Sequence, residues 1–267
     1  MVSTQLDSYF GIIEERVPPE GYAGTDVTTG AFANDTNLEI LKFANGGNTA
    51  TLAADFTDAG FKSVVGGTGA DVISFSTATT VSIDAGSTAG SDSFTGSSSD
   101  DSLTFTSNLG TSGATASIDG GAGNDTIVLK ASGVAYVEID GGDGVDTINL
   151  GATHTGAVAI VIDAGDSTTT TATAVTDIIT NYAAGSDSFV LGAAGDTANY
   201  AESETSVDSL TTLLAAADEK FDGTVLYYFG VTGGNGYLVI DDVDHLGANA
   251  IVQLTGITTF AATEISA

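Results

Sequence analysis

Three nine-residue stretches place an aspartate behind closely spaced glycines: GGTGADVIS (Gly66–Ser74), GGAGNDTIV (Gly120–Val128) and GGDGVDTIN (Gly141–Asn149). All follow one template, Gly-Gly-x-Gly-x-Asp-x-apolar-x. Two degenerate copies lie between them. STAGSDSFT (Ser87–Thr95) keeps Gly90, Asp92 and Phe94, and GSSSDDSLT (Gly96–Thr104) keeps Gly96, Asp101 and Leu103. A further echo, AAGSDSFVL, sets Asp187 between Gly185 and Phe189. These residue types offer hard oxygen ligands. A calcium ion takes about six to eight oxygens at roughly 2.3–2.6 Å, from carboxylates and backbone carbonyls. Glycines at the first, second and fourth positions can take positive φ and fold the backbone around an ion. The sixth-position Asp brings a carboxylate, and the apolar eighth residue points inward. One turn supplies too few ligands, so stacked turns must share a site. A plain Gly-Asp β-turn explains any single copy; the repetition favours calcium.

Composition supports the same chemistry. Lys plus Arg is 5 and Asp plus Glu is 35, a formal net charge of −30, and 26 of the acids are Asp against 9 Glu. Short Asp suits turns and hard-cation sites. Nothing here could neutralise nucleic-acid phosphates, so nucleic acid is excluded as a partner. The chain has no Cys, which argues against disulfides, zinc-thiolate sites and thiol nucleophiles but not against an extracellular location. No basic region followed by a long apolar run marks a classical signal peptide in MVSTQLDSYFGIIEERVPPEGY. The apolar runs are too short to span a bilayer, so no membrane insertion is expected. At 267 residues and 42% hydrophobic, with mean hydropathy +0.22, the chain can bury a core. With no Trp, one Met and much Ala, that core should be thin and repetitive.

The elements that position the turns are legible from the period. Ile83-Asp84, Ile118-Asp119, Ile139-Asp140 and Ile162-Asp163 each end a short apolar run before Gly or Ala-Gly. Asp119 to Asp140 is 21 residues and Asp140 to Asp163 is 23. Within a period the order is glycine turn, strand (DTIVL), polar loop (KASG), strand (VAYVEID). Two short strands and two turns, with no helix-length pattern, describe one coil of a β-solenoid. The expected class is therefore all-β, a parallel solenoid over residues 61–195 between capping regions at 1–60 and 196–267. A short amphipathic segment near Leu6–Glu15 and a break at Pro18-Pro19 belong to the first cap. Thr168–Thr171 is a low-complexity loop insertion. In the second cap, Val207, Leu210, Leu213, Leu214, Ala217 and Phe221 follow helical spacing with Ser206 as N-cap. TVLYYFGV, GGNG and YLVIDD then read as a hairpin and AIVQLTGI as a final strand.

The nonapeptides resemble the calcium-binding repeats of the RTX (repeats-in-toxin) family, a calcium β-helix repeat. Complete copies cover about a tenth of the chain. The resemblance implies ligands from Gly66, Gly67, Gly69 and Asp71, from Gly120, Gly121, Gly123 and Asp125, and from Gly141, Gly142, Gly144 and Asp146. Asp92 and Asp101 are weaker, because serines replace several glycines. Family rolls run nonapeptides back to back; here Asp125 and Asp146 are 21 residues apart. That predicts one edge lined by calcium and an opposite edge of polar loops, although the nine-residue step from Asp92 to Asp101 breaks the pattern. The resemblance further implies type I export by an uncleaved C-terminal signal. The tail DHLGANAIVQLTGITTFAATEISA is similar to tails of exported bacterial surface-layer proteins. The implied location is extracellular or at the cell surface. The implied partners are further copies of the chain, the type I machinery and a bacterial cell-surface glycan.

No catalytic constellation accompanies the turns. There is no His-Glu-x-x-His motif, no Gly-x-Ser-x-Gly elbow, and no P-loop or dinucleotide fingerprint. Of the two histidines, His154 in GATHTG reads as solvent-facing. His245 lies near Asp241, Asp242 and Asp244, where Asp242-x-Asp244-x-x-Gly247 partly resembles a calcium loop but a solvated hairpin end fits better. The sequon at Asn34-Asp35-Thr36 is treated as chance. Two functions compete: a secreted, calcium-folded structural protein forming a surface layer, or a calcium-binding export module of a larger enzyme or adhesin. A calcium-dependent fold would suit either.

Overall fold

The protein is described from a computed structural model, which covers residues 39–43, 46–86, 90–109, 113–129, 136–163, 177–203, 205–241 and 250–267. The chain winds as a parallel β-solenoid of about seven coils, as the period predicts. Each coil gives one strand to each of two sheets. The pairs are β1 (Ile40–Lys42) and β2 (Thr49–Leu52), β3 (Ser63–Val65) and β4 (Val72–Phe75), β5 (Thr80–Asp84) and β6 (Ser93–Thr95). They continue as β7 (Ser102–Phe105) and β8 (Thr115–Asp119), β9 (Thr126–Leu129) and β10 (Tyr136–Asp140), β11 (Thr147–Asn149) and β12 (Val158–Val161), β13 (Asp177–Thr180) and β14 (Ser188–Val190). Odd strands pair in parallel in one sheet and even strands in the other.

The strands alternate inward apolar with outward polar residues, and the parallel register stacks like on like. Val81, Leu103, Ile127, Ile148, Ile179 and Leu254 form one inward ladder. Ala50, Ile73, Phe94, Ile118, Ile139, Ile160, Phe189 and Ile265 form another in the second sheet. Both belong to one continuous buried cluster. Burying each large aliphatic or aromatic side chain contributes roughly 1.5–3 kcal/mol. Phe94 and Phe105 meet edge to face across the thin core, centroids 5.0 Å apart. One six-residue helix, α1 (Ala54–Ala59), interrupts the coils between β2 and β3. It was not expected, because it is shorter than any helical period can show.

The odd sheet continues beyond the solenoid. After β15 (Tyr200–Glu202) comes α2 (Leu210–Asp218), then β16 (Tyr227–Thr232) and β17 (Asn235–Ile240), the hairpin expected from GGNG. β18 (Ala250–Leu254) pairs antiparallel with β17 and parallel with β13, joining hairpin to coil. Helix α2 packs Leu213, Leu214 and Ala217 against Tyr228, Tyr237, Val239 and Ile251. Its N-cap is Ser209, whose hydroxyl accepts the Thr212 N–H, not Ser206. The apolar spacing gives the face correctly, but several Ser and Asp residues compete for the cap. AIVQLTGI is not the final strand, since β19 (Ile265–Ser266) adds to β14 in parallel. Phe260 anchors this last rung among Tyr182, Phe189, Tyr200 and Phe229. The Leu6–Glu15 segment, Pro18-Pro19, Thr168–Thr171 and the Asp242–Gly247 loop with His245 lie outside the described residues.

Candidate metal centre

Two turn edges flank the sheets. On the first, chain passes from odd to even strands through residues 66–71, 150–157 and 181–187. On the second it returns through Ser76–Thr79, Gly96–Asp101, Gly120–Asp125 and Gly141–Asp146. The sequence expectation of a single glycine-aspartate edge is therefore corrected. Gly66, Gly67, Gly69 and Asp71 sit on the first edge with Asp92; Asp101, Asp125 and Asp146 sit on the second. A strand plus a turn is half a coil, so the nine-residue step from Asp92 to Asp101 crosses from one edge to the other.

Along the second edge the carboxylates form a buried ladder. The backbone N–H of Thr79 donates to Asp101 Oδ1, that of Asp101 to Asp125 Oδ1 (2.7 Å), that of Asp125 to Asp146 Oδ1 (2.7 Å), and that of Asp146 to Asp177 Oδ1 (3.0 Å). Every carboxylate thus reaches back to the coil before it. An outer ladder runs the opposite way: Asn124 N–H donates to Asp100 Oδ1 at 2.8 Å and Val145 N–H to Asn124 Oδ1 at 3.1 Å. The turns also bond directly, Ala122 N–H to Ser97 O, Asp143 N–H to Gly121 O and Gly123 N–H to Asp143 O. The stacking that a shared site requires is present.

The second carboxylate oxygen divides the turns into two kinds. Asp71 Oδ2 accepts the Gly67 N–H at 3.0 Å, while its Oδ1 accepts the backbone and side-chain N–H groups of Asn48 at 2.9 and 2.7 Å. Asp101 Oδ2 accepts the Ser97 N–H. Asp187 Oδ2 accepts the Ala183 N–H at 2.8 Å and its Oδ1 the Val158 N–H. These carboxylates are closed by protein donors. Asp125 and Asp146 are not: the Oδ2 of each is buried without a hydrogen-bond partner, in residues only 2% and 0% exposed. Their turns send the second-position N–H elsewhere, Gly121 to Asp119 Oδ1 and Gly142 to Asp140 Oδ1, both at 2.9 Å.

Glycine serves these turns in two ways. Gly121, Gly123, Gly142 and Gly144 have positive φ, as the second and fourth positions were expected to. First-position Gly120 and Gly141 do not; they make room instead. A Cβ on Gly120 would lie 2.6 Å from Asp125 Oδ2, and one on Gly141 would collide with Asp146 Oδ2. In the first copy Gly69 is not in the positive-φ region, so the same motif folds differently on the other edge.

Burial pushes the Asp125 carboxyl up to about 6; the N–H of Asp101 opposes this, and the charges of Asp101, Asp100 and Asp119 reinforce it. Burial likewise pushes Asp146 up to about 7, opposed by the Asp125 N–H and reinforced by Asp177, Asp125 and Asp140. Asp92 is raised to about 6, again first by burial, with the Asp71 charge adding to it. The stretches 96–101, 119–126 and 140–147 contain no Lys or Arg.

An unpartnered buried carboxylate oxygen is costly unless a cation or proton meets it. The donor set of the second edge fits a hard divalent cation: the open carboxylate oxygens of Asp125 and Asp146 among closely stacked backbone carbonyls. Among the described residues no three His, Cys, Asp or Glu side chains converge as a metal-holding group. A full shell there must therefore draw on the turn carbonyls, which is what glycine turns expose.

Asp119 and Asp140 were noted as strand ends but not as site residues; their signal was the Asp fixed immediately before each glycine pair. His154 is corrected outright. The residue is half-buried and its side chain only 4% exposed, with Nε2 3.0 Å from Asp187 Oδ2 and Nδ1 2.9 Å from Gly151 O. The next coil stacks over its loop, which a single GATHTG segment cannot reveal. Compared with protein-family models and with curated proteins, the sequence finds no match.

Proposed function

We propose that this chain is a secreted calcium-binding structural protein of the repeats-in-toxin type, which folds on calcium outside the cell and self-assembles into a surface layer or similar array. The observation that carries the reading is the pair of buried, unpartnered oxygens on Asp125 and Asp146 in a chain of net charge −30. Calcium supplies the positive charge that these carboxylates lack. The chain's own residues do the rest: Asp119 and Asp140 bind the Gly121 and Gly142 N–H groups, the glycines bring carbonyls close, and the Ile ladders fix the spacing. Without a cation, self-repulsion opposes compaction, and ligand binding to the folded state alone stabilises it by mass action. Millimolar calcium outside the cell then couples export to folding. Non-enzymatic assembly is favoured because the sequence carries no nucleophile–base or zinc motif, while the solenoid repeats its surfaces.

A calcium titration followed by circular dichroism and light scattering tests both halves. The expected result is a calcium-dependent gain of β signal, then scattering growth at higher protein concentration. Identical spectra in excess EDTA and in millimolar calcium would overturn the folding half. Dispersed monomers at high concentration with calcium, seen by electron microscopy, would overturn assembly.

A further inference from the structure

The second-position N–H of each turn has one hydrogen to give, and the preceding residue decides where it goes. Before Gly120 and Gly141 stand Asp119 and Asp140, which take it at 2.9 Å. The turn's own sixth-position carboxylate then keeps a free, buried Oδ2. Before Gly66 stands Val65, which has no side-chain acceptor, and Gly67 N–H closes onto Asp71 Oδ2 at 3.0 Å. Before Gly96 stands Thr95, and Ser97 N–H closes onto Asp101 Oδ2. Resting on the calcium reading above, we infer that the residue preceding the first glycine decides which turns take a cation. Asp119 and Asp140 hold open a calcium site between Gly120–Asp125 and Gly141–Asp146, and the complete motif Gly66–Asp71 is a closed turn that takes none.

Two features of the first edge agree. Asn48 gives Asp71 two further N–H donors, so an uncharged amide does at that rung what a cation would do elsewhere. At the other end of the same edge, the His154 ring stands against Asp187. Asp119 and Asp140 are positioning residues in this scheme, since each acts through a backbone N–H.

The test is calcium binding to the full chain by isothermal titration calorimetry, with far-ultraviolet circular dichroism in calcium as the folding control. Asp140→Val removes the competing acceptor, freeing Gly142 N–H for Asp146, and should lose tight calcium uptake at this site. Asp140→Asn keeps an acceptor, as Asn149 does for Gly151 N–H at 2.9 Å, and should retain the stoichiometry with weaker affinity. Val65→Asp, at a half-buried strand end, should open Asp71 and add one equivalent of calcium. Folded Asp140→Val with wild-type stoichiometry, or folded Val65→Asp with no added equivalent, overturns the inference while leaving the calcium reading intact. A wild-type chain that takes up no calcium overturns both. If Val65→Asp does not fold, the contrast between the two Asp140 variants decides.

Discussion

Gly144 measures how little room neighbouring coils leave one another. Its φ of +147° is one that side chains rarely adopt, and a Cβ there would collide with the Gly123 carbonyl oxygen. Gly144→Ala should therefore destabilise the fold by about 1–3 kcal/mol from backbone strain alone, measured by urea denaturation in calcium. The acidic side chains behave differently, because their cost depends on charge. Asp146→Asn removes a buried charge flanked by Asp125, Asp140 and Asp177. It should raise the β signal retained in EDTA and shrink any further gain on adding calcium. The pH dependence follows from the same groups. Burial pushes Asp92 and Asp125 up to about 6 and Asp146 up to about 7 in the folded chain, well above the ordinary aspartate value of 3.8. The folded chain thus holds protons that the unfolded chain has already lost. Their contribution to stability is complete below about pH 4 and is lost as pH rises through 6 to 7. The β signal retained without calcium should fall over that interval. If calcium binds the ionised carboxylates as proposed, the fall should flatten or reverse in millimolar calcium.

At the scale of elements, the last rung depends on an aromatic anchor. Phe260→Ala empties a cluster of Tyr182, Phe189, Tyr200 and Phe229 and should cost about 3–5 kcal/mol. Amide exchange should then quicken first in β19 and β14, before the central coils. The coils themselves were legible in the sequence, because a period-2 strand and a glycine turn recur at a fixed spacing. Ile118-Asp119 and Ile139-Asp140 even mark the strand ends to the residue. The edges were not legible in the same way. A step of 21 to 24 residues returns to the same edge and a step of nine crosses over, so one irregular spacing redirects every later motif. Nor did Asn48 stand out, although it lies 23 residues before Asp71, one coil away. Its role depends on the next coil being closed by backbone N–H groups. The pairing of His154 with Asp187 spans 33 residues, more than the 21 to 24 of the regular steps, so no period points to it. β19 was missed because two residues carry no alternation to read.

The described solenoid is close to one-dimensional: each coil touches mainly its neighbours, and one core cluster threads them all. Pulling on its ends should therefore peel coils in sequence instead of releasing them together. The rungs from Asp101 to Asp125 and from Asp125 to Asp146 hold 24 and 21 residues. At roughly 3.3–3.6 Å per extended residue, each would lengthen the chain by about 70–85 Å. If calcium ties Gly120–Asp125 to Gly141–Asp146, optical-tweezer traces should show a force plateau at that pair which EDTA abolishes. The ladder that satisfies one carboxylate per coil would then act as a row of breakable links, with its strongest links in the middle. A layer built from such units could yield by whole coils under osmotic or shear load and rewind when the load passes.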